Sequence, residues 1–205
     1  PATLGSGDDF GNLNLSEVGG ELIAVLIPRD GDGFGLGAVV EAEHPLDGEP
    51  DAVVMGPIFE LAQGPWSASF IPMAVHHFGG TSGGDEPRDN KWDFAYAAQV
   101  LFAQSSTWSY GIEAYGTIDR IGGSGHTSEA TQLFGDHDQH RAGPIVYYTY
   151  ALPGPSLRQS MGIKGSNDDG EGEEGPSATL GVGFFAGLNG NTPDGTAKVS
   201  LEVDF

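Results

Sequence analysis

The chain has no cysteine, and only 8 lysines and arginines stand against 29 acids among its 205 residues. Without cysteine there is no disulfide, no thiolate metal ligand and no cysteine nucleophile. A net charge of -21 with so few cations excludes the clustered basic surface that nucleic acid requires. It equally argues against docking on an anionic membrane face. A cation-attracting surface or pore is one reading of that charge, and plain solubility is the other. Long apolar runs are missing too. The longest, such as Leu22 to Pro28, fall far short of the roughly 18 residues that a transmembrane helix needs. Pro1 opens on a polar, Gly-rich segment with no signal-peptide pattern, so an exported protein would be in mature or trimmed form. Nothing divides the chain, and residues 1–205 are expected to form a single domain.

What is present is glycine, at 34 residues, and a hydrophobic period of two. Trp92, Phe94, Tyr96, Ala98, Val100 and Phe102 alternate with Asp93, Ala95, Ala97, Gln99 and Ala103. After Gln104-Ser105-Ser106 the alternation resumes with Trp108, Tyr110, Ile112, Ala114 and Ile118, which predicts a hairpin. The unit recurs along the chain. Leu13–Pro28 and Phe34–Pro45 flank Arg29-Asp30-Gly31-Asp32-Gly33, and Ala52–Ala62 and Trp66–Phe78 flank Gln63-Gly64-Pro65. His140–Leu152 and Leu157–Lys164 flank Pro153-Gly154-Pro155, and Thr179–Leu188 and Ala197–Phe205 flank Asn191–Gly195. The expectation is an all-β, single antiparallel up-and-down barrel of about ten strands, with no helix of three turns.

Two solvents compete for the apolar set of residues. In a soluble ligand-binding barrel it would face inward; in a membrane barrel it faces lipid and the charged set lines the interior. Strands of ten to twelve residues match a tilted bilayer crossing better than the five or six usual in soluble sheets. Trp66, Trp92 and Trp108 fall near strand ends, as an interfacial girdle requires, and Tyr147, Tyr148 and Tyr150 cluster near another end. On the membrane reading the lumen-lining residues are Glu21, Glu41, Glu43, Glu60, Glu113 and Glu202, with Arg141 and Lys198 as counter-charges. Such a lumen should hold water or cations, because buried acids without partners are costly. The alternative is that Arg141 and Lys198 pair with two of the acids and plug a barrel that ten strands leave narrow.

The final segment, Lys198 to Phe205, alternates with Val199, Leu201, Val203 and Phe205 on one face and stops on an aromatic. It looks like the β-signal read by the outer-membrane assembly machinery. Gly187-Leu188-Asn189-Gly190-Asn191-Thr192-Pro193-Asp194-Gly195-Thr196-Ala197-Lys198 resembles the last hairpin of a family of outer-membrane transporters labelled as phenol-degradation (MetA-pathway) type. Gly111–Gly116 and His140–Tyr148 fit the same picture. The resemblance covers roughly the last 115 residues and implies a Gram-negative outer-membrane barrel in contact with outer-membrane lipid. It carries over no catalytic residue.

Loop lengths conflict with that picture. The long segments Gly79–Asn90, Gly122–Gln139 and Gly165–Ser177, counted back from Phe205, fall on the side of the C-terminus. Outer-membrane barrels usually keep short turns there. Either a strand is miscounted or the elaborate loops are periplasmic and dock a periplasmic protein partner. The acidic run Asn167–Glu174 lies in the last of them.

Sites of chemistry are sparse. Asp136-His137-Asp138-Gln139-His140 offers His137 and His140 as ligands for a divalent cation, the one cofactor in view, against a plain solvated loop. Alternation sends the rings of His76 and His77 to opposite faces. Arg29–Gly33 lacks the later ligands of a calcium loop and reads as a hairpin turn. Ser6, Ser105 and Ser160 have no nucleophile-elbow setting, and no Gly-rich phosphate loop links a strand to a helix, so no enzymatic activity is expected.

Overall fold

The computed structural model describes residues 2–6, 13–46, 50–79, 91–119, 121, 138–153 and 176–204, with side chains from residue 18 onward. Ten strands follow one another: β1 (Ala2–Ser6), β2 (Leu13–Ile27), β3 (Gly33–Pro45), β4 (Asp51–Gln63), β5 (Trp66–Phe78), β6 (Lys91–Ala103), β7 (Trp108–Ile118), β8 (Gln139–Ala151), β9 (Ser177–Gly187) and β10 (Gly195–Asp204). Each pairs antiparallel with its neighbours in sequence, giving one up-and-down sheet curled as a half-barrel. Among the described residues β1 pairs only with β2, β10 pairs only with β9, and no α-helix occurs. The period-two pattern therefore read the all-β, antiparallel up-and-down class correctly, and among the described residues no pairing joins β1 to β10.

Two strands differ from the sequence expectation. Ala2–Ser6 adds a first strand where only a polar segment was read. Leu157–Lys164, expected as a strand, lies outside the described residues, and its expected partner pairs elsewhere. β8 runs directly against β9, from Arg141 opposite Gly187 to Ala151 opposite Ser177. A strand's neighbour is set by register along its whole length, and the short Pro153-Gly154-Pro155 turn signal cannot fix that.

The direct pairing of β8 with β9 reverses the sidedness. The tight connections 28–32, 64–65 and 104–107 lie at the end of the sheet where β10 finishes, as do the strand ends Ala151 and Ser177 that 152–176 joins. The strand ends joined by 79–90, 119–138 and 188–194 lie at the opposite rim. The reversed topology read from sequence followed from expecting a further strand between β8 and β9, which pair directly, and 152–176 is a long connection on the terminal side.

The tight turns are laced together. Gly64, at φ 55, donates its N–H to Asp32 Oδ1 at 2.7 Å. Ala103 donates to the Pro65 carbonyl at 2.8 Å. Asp32 thus serves a neighbouring turn, which supports the hairpin reading of Arg29–Gly33. The conformation at Gly64 is one that L side chains rarely adopt.

Candidate functional site: the concave face

Register sorts the side chains into two faces of opposite chemistry. The convex face carries the apolar set, and much of it is exposed: Leu22 at 71%, Ile112 at 63%, Val199 at 72% and Leu201 at 71%. Aromatic side chains border this face at both rims. At the tight-turn rim Phe34 meets Phe59, Trp66 packs on Phe102 with ring centres 5.0 Å apart, and Trp108 meets Tyr148 at 4.8 Å. At the opposite rim His76 stacks on Trp92 at 4.3 Å and Tyr96 stacks on His140. The three tryptophans fall at strand ends as the sequence pattern predicted. Of the three tyrosines read as one cluster, Tyr148 and Tyr150 are convex, but Tyr147 turns to the concave face.

The residues expected to line a lumen share the concave face. Glu21 stands directly opposite Glu41 across β2 and β3, Glu43 is next on β3, and Glu60 lies on the same face of β4. Glu113, Arg141, Lys198 and Glu202 continue the face through β7, β8 and β10. The charge is unevenly spread. Strands β2–β5 contain no lysine or arginine, whereas β6, β8 and β10 carry Lys91, Arg141 and Lys198.

Glu113 is the centre of the cationic half. It is 6% exposed and accepts from Gln99 Nε2 at 2.5 Å, Tyr147 Oη at 2.6 Å and Lys198 Nζ at 2.7 Å. Lys198 reaches it from three strands away. The position beside each partner is a glycine: Gly143 is opposite Glu113, and Gly183 is opposite Lys198. A Cβ on Gly143 would run into the Phe184 carbonyl oxygen, so that position excludes any side chain. Ile145 and Phe185 fill the adjoining concave surface, and Phe185 meets Tyr115 edge-on at 5.2 Å. The ring of Tyr115 also carries the Arg141 guanidinium 5.3 Å above its centre.

The expected pairing of Arg141 and Lys198 with two acids is half met. Lys198 pairs with Glu113, whereas Arg141 donates to Gln139 Oε1 at 2.7 Å and covers Tyr115. Lys91 was missed as a counter-charge. It bridges Asp93, at 3.0 Å, and Asp119, and Asp93 also binds His77 Nε2 at 2.9 Å. The signal was legible in the alternation, since Lys91 and Asp93 share a face. Arg29, in the β2–β3 turn, lies 3.6 Å from Glu60.

Of the proposed metal ligands, His137 lies outside the described residues. His140 is 1% exposed on the convex side, with Nδ1 3.0 Å from Tyr96 Oη. The β9–β10 turn folds over it. Thr192 Oγ1 accepts from the His140 N–H at 2.8 Å, the Leu188 N–H donates to the His140 carbonyl, and Asn189 Nδ2 donates to the Asp138 carbonyl at 2.7 Å. The Asn189–Thr192 motif is therefore a latch on β8, a role its sequence did not announce. Among the described residues no three metal-binding side chains gather. In the assembly segment Val199, Leu201 and Val203 share the convex face, and Phe205 lies outside the described residues.

No protein-family model, no curated protein and no solved structure matches the chain.

Proposed function

We propose that the protein is a small outer-membrane channel or transporter-like barrel of a Gram-negative bacterium, with an acidic interior that favours cations or small polar solutes. The observation that carries this reading is the sorting of faces. An exposed aliphatic band bordered at both rims by aromatic rings is what a hydrocarbon slab between two interfaces selects. The tight turns at the rim where β10 finishes, with 79–90 and 119–138 opposite, fit periplasmic turns and external loops. An open sheet edge in lipid would strand backbone groups, so membrane insertion requires closure, and β1 and β10 run antiparallel and could pair. The alternation of Val199, Leu201 and Val203 along β10, like that of a β-signal, supports delivery by the assembly machinery.

A second reading, a non-conducting barrel that anchors a protein partner, draws on the packing between β7 and β10. There Ile145, Phe185 and the Glu113 network fill the concave surface. The acidic segment within 152–176 would then be the place for a periplasmic partner.

Conductance in planar bilayers separates the two. The channel reading expects discrete cation-selective openings, and Glu21→Gln with Glu41→Gln should lower the selectivity. Silent bilayers with correctly folded protein would favour the anchoring barrel. Protein that stays soluble without detergent would remove the membrane reading.

A further inference from the structure

We infer that the concave face carries a binding site for a small carboxylate with a compact apolar body, seated against Lys198. The inference rests on the concave face being the barrel interior, and it names a solute class that the acidic composition alone would not suggest.

The site is a trough of about 450 Å³ across β5, β6, β7 and β10, a volume within the range of small-ligand pockets. Its floor is two adjacent rungs of different character. One is polar, with Ser69 opposite Gln99 and Gln99 opposite Glu113. The next is apolar, with Ile71 opposite Ala97 and Ala97 opposite Tyr115. A solute lying across both would need a polar head and an apolar body.

The sign of the head follows from how the charges are used. Glu113 is buried, and its oxygens already accept three hydrogen bonds, so it has little left to offer a ligand. Lys198 is its counterpart in the open: the side chain is 39% exposed, and Glu113 takes one of its three ammonium donors. Ser69 adds a hydroxyl that can donate. Both Gln99 hydrogen bonds, to Glu113 and Tyr147, use its amide nitrogen, so Gln99 serves to hold the Glu113 network. The trough therefore presents a held cation and a hydroxyl to a carboxylate. Glu113 fixes the ammonium in place and orients it, as a positioning residue. A free amine would instead meet Lys198 with like charge.

The test is calorimetric titration of the folded chain in detergent micelles with cyclohexanecarboxylate, cyclohexanecarboxamide and cyclohexylamine. The expected order is carboxylate tightest, with the amide and the amine each at least tenfold weaker. Lys198→Met should remove the preference for carboxylate over amide, and Lys198→Arg should keep it. Ile71→Trp fills the trough without touching the ion pair, so it should abolish binding even if Lys198→Met fails to fold. Amine binding as tight as carboxylate, no binding by the folded wild type, or binding indifferent to Ile71→Trp would each overturn the site. A barrel that is heat-modifiable and conducts but binds none of the three probes would lose this site and keep the channel reading. Protein soluble without detergent would lose the channel reading, and the ligand comparison would still decide the trough.

Discussion

Replacing Lys198 by Met should destabilise the folded sheet by about 2 kcal/mol, and replacing Glu113 by Gln in the same chain should restore part of the loss. Glu113 keeps Tyr147 and Gln99 but loses its cation, so a buried carboxylate is left with its charge uncompensated. Breaking a fully buried pair costs about 3–5 kcal/mol. Lys198 is 39% exposed, so solvent screens its end and the loss should lie nearer the roughly 1.5–3 kcal/mol of a charge-assisted hydrogen bond. Glu113→Gln alone leaves a cation that water can reach, and should cost about 1 kcal/mol. In the Lys198→Met background the same change removes a stranded charge and should recover about 1 kcal/mol, a coupling near 2 kcal/mol. Urea unfolding of the four proteins in micelles, followed by the heat-modifiable gel shift, measures all the terms. Additive losses would refute the argument, because they would mean that Glu113 does not depend on Lys198 for its charge.

Gly143→Ala should destabilise by more than about 2 kcal/mol in the same assay, since its Cβ would press on the backbone of β9, whereas Gly190→Ala, with open space around it, should be near neutral. Val199→Arg, on the exposed aliphatic band of β10, should cost about 2–4 kcal/mol of insertion free energy into liposomes, and equal insertion of variant and wild type would contradict a lipid-facing convex surface. Trp66, Trp92 and Trp108 should be quenched most by lipids labelled near the interface; stronger quenching from the bilayer centre, or full access to aqueous iodide, would place the girdles wrongly. Thr192→Val removes the acceptor for the buried His140 N–H and should cost about 1–3 kcal/mol, read by the unfolding midpoint.

The all-β class and the two-faced character were legible because strand alternation is local. Trp92 to Ala103 declares both faces without reference to any other strand. The concave assignment of Glu21, Glu41, Glu43, Glu60, Glu113, Arg141, Lys198 and Glu202 followed from the same parity, which a continuous ladder preserves from strand to strand. Tyr147 was misplaced because consecutive residues in a strand face opposite ways, and grouping it with Tyr148 ignored that. The strand expected at Leu157–Lys164 shows the limit of turn signals, for a Pro-Gly-Pro sequence marks a bend and says nothing about which strand comes next.

Composition and alternation thus determined the architecture class, the acidic surplus and the separation of apolar from charged faces. They could not determine which charges meet. Lys198 and Glu113 are 85 residues apart, and Asn189 and Asp138 are 51 apart. These contacts depend on strand order, register and curl, which are properties of the whole sheet. The tertiary structure alone decided that β8 adjoins β9, and with it the rim on which each loop lies. It also decided that Lys198 on β10 reaches the buried Glu113 on β7, and so that the accessible charge in the trough of an acidic protein is a cation.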